Sequence, residues 1–351
     1  LSTETPTHIQ SVASIPGLTT RLLRPEEATN PGAAVDMVVV VEPAGDASAQ
    51  VLEHAFSEHS AIMRTLLCEH GNVLFRGFDV GRQEFEAIVA AGFRSDRYLW
   101  MFPMPPGLAR FLLAIPVIGW MIRLLLGWIE AKATGRDVVE DKISTLANDQ
   151  TIQFPHHEYG IFFNVPRVIA FYCDKQAERE GETILCDARS GFQDMRPEVR
   201  SKFEGAKFIR YRSENQWYLP PFTAPSILRH PDDGHPSMNF TAYHHDVFAD
   251  LAREKFPDSM ITTDELDETF TFTPTFVSES GEQYMLDEED VAEIARAHLE
   301  RTVLLPWKHK DVLLLDNFRV VHGRLNAGLP ERKVLQLILC DYVRNQNRFT
   351  F

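Results

Sequence analysis

The chain is poor in cysteine: it has four, Cys68, Cys173, Cys186 and Cys340, with no C-x-x-C and no short-range pair. That scatter signals no disulfide framework, and free thiols in a reducing compartment are expected. Basic residues are also in deficit. Thirty-five Lys and Arg face 50 Asp and Glu, a formal charge of −15, so the surplus of cations that neutralises a phosphate backbone is missing and a nucleic-acid partner is excluded. A small-molecule substrate fits better. The first residues, Leu1 to Pro6, show neither a basic nor an apolar leader region, so no secretory signal is visible and a cytoplasmic protein is expected. No internal repeat or low-complexity tract occurs, which leaves an ordinary globular chain.

Residues 1–36 are rich in Pro, Thr and Gly with little periodicity and read as an irregular N-terminal arm. Met37-Val-Val-Val-Val41 reads as a buried strand. Asp46 or Ser48 can cap a helix running to Gly71, with Val51, Leu52, Ala55, Ile62, Leu66 and Leu67 at helical spacing. Val73 to Phe78 reads as a strand and turn, Gln83 to Ala91 as a short helix, and Val168 to Cys173 and Gly181 to Asp187 as further strands. A helix is expected over Phe192 to Phe203, a hairpin around Asp232-Asp233-Gly234, and a helix over Leu286 to Arg301 with Asp287 and Glu288 at its start. Asp311 to Asn317, Val320 to Arg324 and Val334 to Leu339 read as closing strands. Many short strands with few helices and no regular alternation describe an antiparallel β core flanked by helices.

One segment stands apart. Gly107 to Ile129 carries the apolar run Phe111 to Ile122 and continues past Arg123. Pro116, Gly119, Arg123 and Gly127 interrupt it, whereas a membrane span wants about 20 apolar residues with few charges. From Arg94 to Arg136 six basic residues stand against two acidic ones, a reversal of sign that admits a membrane-surface contact or a lipid-like substrate. The favoured expectation is a helical hairpin buried in the core or in a homo-oligomer interface through 107–129.

The chemistry starts at Phe154-Pro155-His156-His157-Glu158-Tyr159. On an extended strand His156 and Glu158 share one face, and His157 and Tyr159 the other. A histidine and a carboxylate on one face, joined by a distant histidine, form the facial triad of non-haem Fe(II) oxygenases. His322, at the end of an apolar strand, is the candidate third ligand. The same set would serve a zinc hydrolase, and the apolar segment alone would serve a non-catalytic membrane-surface binding protein.

His156, Glu158, Thr183, His322 and Arg332, in that order and approximate spacing, resemble the taurine dioxygenase-like (TauD/TfdA, clavaminate synthase-like) family of Fe(II)/2-oxoglutarate-dependent oxygenases. His156-x-Glu158 matches the family's His-x-Asp/Glu, Thr183 its Gly-x-Thr element, and Leu314-Leu-Asp-Asn-x-x-x-x-His-Gly-Arg324 the surroundings of its distal histidine. Val73 to Phe78 and Arg229 to Phe240 are weaker echoes, the latter of relatives associated with amino-acid and peptide natural products. The resemblance implies a double-stranded β-helix (jelly roll) core in one domain over 37–351. A helical insertion at about 95–148 matches little of the family.

It also implies Fe(II) as cofactor, with 2-oxoglutarate and O2 as co-substrates. His156, Glu158 and His322 would be the ligands, and Arg332 would hold the far carboxylate of 2-oxoglutarate by a two-pronged guanidinium contact. Thr183 would add a hydroxyl donor, and Lys333 is a poorer geometric match. Retention of Glu158 sets the chain apart from halogenating relatives, so hydroxylation, desaturation or a related C–H oxidation is implied. Asp316 and Asn317, just before His322, are candidates to support the ligands or to form a turn, and read first as turn residues. The aromatic stretch Phe208 to Phe222 and the apolar segment point to a hydrophobic or carrier-tethered substrate.

Overall fold

The computed structural model of the protein describes residues 17–96, 99, 102–134, 138–140, 143–145, 152–210, 222–239, 245–261, 275–329, 333–345 and 348–349. Two sheets face each other across an apolar layer, and helices cover their outer faces. The larger has eight strands in the order Leu18–Leu22, Val38–Pro43, Asn72–Phe75, Val312–Asp316, Val168–Lys175, Lys333–Cys340, Ile143–Thr145, Val138–Glu140. Its one parallel pair, Val38–Pro43 with Asn72–Phe75, needs a crossover, and helix α1 (Ala49–His70) provides it. The smaller sheet is antiparallel, in the order Thr302–Leu305, Thr183–Asp187, Val320–Arg324, Gln153–His156.

The apolar run at Met37 to Val41 follows from burial on both faces. Val38 and Val40 join Leu74, Phe171, Leu313 and Leu315 in the layer between the sheets. Val39 and Val41 point the other way, with Val73, Phe75 and Tyr172, under α1 and α2 (Arg82–Gly92). In the smaller sheet Leu185, Val303, Leu305 and Val320 face inward. Ile184, Cys186, Leu304 and Val321 face the helices Ala188–Asp194 and Glu288–Glu300. Each such side chain stabilises the fold by about 1.5–3 kcal/mol, so alternation of apolar residues fixes the register of both sheets.

The structure departs from the sequence reading in four places. Leu18–Leu22, inside the stretch read as irregular, pairs with Val38–Pro43 as the edge of the large sheet. Ser48 stands at the N-cap of α1 without a side-chain cap bond; Asp46 instead accepts from the Ser48 N–H. The single helix expected over 192–203 is two short ones, Ala188–Asp194 and Pro197–Ser201. Met195 and Arg196 are extended between them, as the residue before a proline prefers.

Last, the apolar segment forms two helices, α3 (Pro106–Ala114) and α4 (Pro116–Thr134), bent by 112° over Pro106–Gly127. Its outward side chains are not buried in the core: Phe111 is 64% exposed and Val117 69%. No single described helix is long and apolar enough to cross a membrane.

Candidate active site

The strand Gln153–His156 lies at the edge of the small sheet and sets His156 directly opposite His322 on Val320–Arg324. Their rings lie 4.7 Å apart, centroid to centroid. Glu158 is not on that strand. The chain leaves the sheet after His156 and turns, with Tyr159 in the left-handed region at φ 55°. The turn returns Glu158 Oε2 to 3.5 Å from His156 Nε2 and 3.6 Å from His322 Nε2. The sequence thus picked the residues that converge, but a turn, not strand alternation, brings them together.

His157 points elsewhere. Its ring is buried, with Nδ1 2.6 Å from the Asn317 carbonyl and Nε2 2.9 Å from that of Met238. Burial lowers its pKa to about 4, so it stands neutral and one of the two nitrogens donates.

Asn317 fixes the turn. Its Oδ1 accepts from the Glu158 N–H at 2.8 Å, and its Nδ2 donates to the Glu158 and Pro166 carbonyls at 2.8 and 2.9 Å. His156 Nδ1 lies 2.7 Å from the Phe154 carbonyl; donating there, it leaves the Nε2 lone pair directed at the cluster. The His322 ring meets Phe171 of the large sheet edge-on at 5.3 Å, which places the cluster between the two sheets. Gly323 permits the approach of the two site strands: a Cβ there would stand 2.2 Å from the Gln153 carbonyl oxygen.

The three donors suit one cation. His156, Glu158 and His322 each offer a ligand atom, all within 4.8 Å of one another. Atoms bound at roughly 2.1 Å to a common ion are separated by about 3–4 Å, and the two measured carboxylate–imidazole separations lie in that interval. Two neutral imidazoles and a carboxylate are also the donor set that borderline Fe(II) takes while keeping positions open.

Thr183 lies one register step from the cluster: Leu185 is opposite His322 and Thr183 opposite Arg324. Its hydroxyl accepts from Trp307 Nε1 at 2.8 Å. Arg324, 4% exposed, shares the strand face of His322. The sequence reading quoted it within His-Gly-Arg and gave it no role, although an arginine two positions after the histidine on an apolar strand was the signal. Arg332 lies outside the described residues, as does most of the aromatic stretch 208–222.

A second group of potential ligands, Cys68, His230 and Asp232, also meets within 4.8 Å. Here ion pairs occupy the acids: Arg167 grips Asp232, and Arg189 lies 2.9 Å from Asp233. Burial and Asp233 raise the Cys68 thiol pKa, which keeps it protonated. His230 Nε2 lies 2.9 Å from Asp316 Oδ2 with both side chains fully buried, so this network fastens the Ile227–Met238 hairpin to the strand end that precedes Asn317.

The chain belongs to the taurine catabolism dioxygenase TauD, TfdA family, whose model matches residues 41–337. It is a dioxygenase of the Fe(II)- and 2-oxoglutarate-dependent class, with Fe(II) as its metal cofactor and 2-oxoglutarate and O2 as co-substrates. Solved structures share the fold at low identity. PvcB, an Fe, alpha-ketoglutarate dependent oxygenase from an isonitrile synthetic pathway, is 14% identical with a TM-score of 0.58, over 95% of this chain and 96% of that one. A taurine dioxygenase from Burkholderia xenovorans is 11% identical with a TM-score of 0.54, over 96% and 97%. AAD-2, solved with Mn(II) and N-oxalylglycine, is 10% identical with a TM-score of 0.54, over 93% and 99%. No curated protein matches the sequence.

Proposed function

We propose that His156, Glu158 and His322 hold Fe(II) and that the enzyme oxidises a C–H bond of a small organic substrate in natural-product or amino-acid-derived secondary metabolism. The observation that carries the ligand assignment is the meeting of three donor atoms from an edge strand, a turn and an inner strand. Thr183 and Arg332 bind the far carboxylate of 2-oxoglutarate: the threonine donates its hydroxyl proton, and the guanidinium supplies a charge that burial does not remove. Arg324, buried and opposite Thr183 in the sheet, adds positive charge that favours an anionic co-substrate there.

When bound, iron supplies the activation of O2 that couples oxidation of 2-oxoglutarate to succinate and CO2 with insertion of the second oxygen atom, or removal of two hydrogens, at the substrate. The protein orients and shields. Phe171, Trp307 and Leu185 wall the cluster on the side of the intersheet layer and keep water from it. Glu158 as a carboxylate ligand leaves no vacancy for halide, which supports hydroxylation or desaturation.

The two facing sheets support a double-stranded β-helix core, with residues 37–351 as one domain, 1–36 as an arm and 95–148 as an insertion. Four free cysteines support the cytoplasm. The hairpin Ile227–Met238 and the pathway of PvcB support natural-product chemistry on a hydrophobic or carrier-tethered molecule. The test is anaerobic addition of Fe(II) and 2-oxoglutarate to the purified protein. A metal-to-ligand absorption band should form, and succinate should appear on admitting air. Both should vanish in Glu158→Ala, and absence of both in the wild type overturns the reading.

A further inference from the structure

Ten large hydrophobic side chains stand out as exposed among the described residues, and eight of them lie between Leu108 and Leu125. Those eight are 45–69% exposed and include Leu108, Phe111, Val117, Trp120, Met121 and Leu124. The hairpin is nonetheless firmly seated. Ala109, Leu113, Ile122 and Leu126 form its inner stripe, packed on the intersheet layer with Leu99, Phe102, Tyr159 and Phe162. Asn164 holds its approach by donating to the carbonyls of Leu99, Phe102 and Met104 at 2.7, 2.9 and 3.1 Å. A helix seated by one stripe should present a polar opposite face to water, and a helix apolar all round belongs in a core or in lipid. Here the core is already met by the inner stripe.

Charge selects the occupant. Residues 101–129 contain two charged side chains, Arg110 and Arg123. Arg110 Nε lies 2.6 Å from Asp96, while Arg123 is exposed. The wider segment 94–136 is net basic in a chain of net −15. Two copies meeting through this patch would set two net-basic segments against each other. An anionic bilayer instead attracts the basic segment, and its acyl boundary receives the apolar side chains. The 112° bend makes the helices unsuited to a straight span and suited to lying along a surface.

We propose that α3 and α4 form a monotopic docking surface for an anionic lipid bilayer, with the outer apolar side chains inserted at the headgroup boundary and Arg123 on the phosphates. Tyr159, next to Glu158 in sequence, and Phe162, four positions after it, pack on the same layer as the inner stripe. Docking therefore sets the ligand-bearing turn on the membrane side of the enzyme. The surface assignment is independent of the iron assignment.

The test is flotation of the full-length, iron-loaded protein with vesicles of phosphatidylcholine alone or mixed with phosphatidylglycerol. The wild type should float with the mixed vesicles and dissociate as salt is raised. The pair Trp120→Glu and Leu124→Glu should weaken binding about 100-fold or more. Arg123→Glu should weaken it about 30-fold, at roughly 1 kcal/mol for each unit of charge near an anionic surface. Unchanged melting temperatures and unchanged uncoupled 2-oxoglutarate turnover would show that these exposed substitutions leave the fold and site intact. Failure of the wild type to float, or flotation undiminished in the double variant, overturns the proposal. So does a wild-type dimer in sedimentation that Trp120→Glu dissociates without any vesicle binding, because a second copy then covers the patch.

Discussion

Replacing Asn317 by alanine tests whether a residue that offers no ligand atom governs the metal site. The substitution removes hydrogen bonds of 2.8, 2.8 and 2.9 Å to the Glu158 N–H, the Glu158 carbonyl and the Pro166 carbonyl. At a net of about 1 kcal/mol each the loss is about 3 kcal/mol. Asn317 is fully buried, so the stranded partners would add to that unless water enters the space. With both backbone groups of Glu158 released, the turn loses its restraint, and affinity for the metal should drop some 10–100-fold as for other residues that hold ligands in place. Anaerobic Fe(II) titration by calorimetry, with urea unfolding of the metal-free protein, measures the two effects separately. Affinity within twofold of the wild type together with a stability loss below about 1 kcal/mol would refute the reasoning, because the turn would then be held by something other than Asn317.

Gly323→Ala drives a Cβ against the Gln153 carbonyl oxygen at 2.2 Å and the Phe154 carbonyl carbon at 2.9 Å; it should cost about 1–3 kcal/mol and lower Fe(II) affinity more than a comparable surface substitution does, read by melting and titration. His298, fully buried in the helix Glu288–Glu300, has its pKa lowered by burial to about 4. Because the unfolded state takes up this proton first, stability should fall as pH drops from about 6.5 to 4, by ~3 kcal/mol from this group. Urea unfolding across that range should show a smaller slope in His298→Gln, and an unaltered slope would count against the assignment. Arg332→Leu should raise the KM for 2-oxoglutarate about 100-fold while Lys333→Ala leaves it nearly unchanged; the reverse order would transfer the carboxylate contact to Lys333. His157→Ala should keep Fe(II) binding and lose stability, whereas His156→Ala should lose Fe(II) binding; the opposite pattern in titrations would move the ligand register by one residue.

What could be read ahead of the structure tracks how local the cause is. The strands at Met37 and Val168 and the helix at Leu286 follow from patterns a few residues long, and all three exist. The break of the helix near Pro197 is equally local, because the residue before a proline disfavours the helical conformation. The identities of His156, Glu158 and His322 were legible as a motif, but the means of their convergence was not. The turn after His156 is bonded to Asn317, 159 positions from Glu158, and no local window of sequence contains both. Arg324 was visible and unassigned because burial is decided by the sheet opposite. The outward face of the apolar hairpin could not be told from a buried one, since composition is blind to which side of a helix meets the core.

The residues from Val312 to Arg324 run first along the large sheet and then along the small one, with Asn317, Phe318 and Arg319 forming the corner between the two strands. That corner holds the Glu158 turn and leads directly into the His322 strand. The three proposed iron ligands all attach to the small sheet, His156 and His322 as facing strand residues and Glu158 on the turn after the edge strand, and this corner ties that turn to the large sheet. Iron binding at the proposed site would then report the integrity of this corner rather than secondary structure, and a protein relaxed there would keep its circular dichroism while losing its metal. In a cell, the loaded fraction would be a measure of how completely the chain has folded.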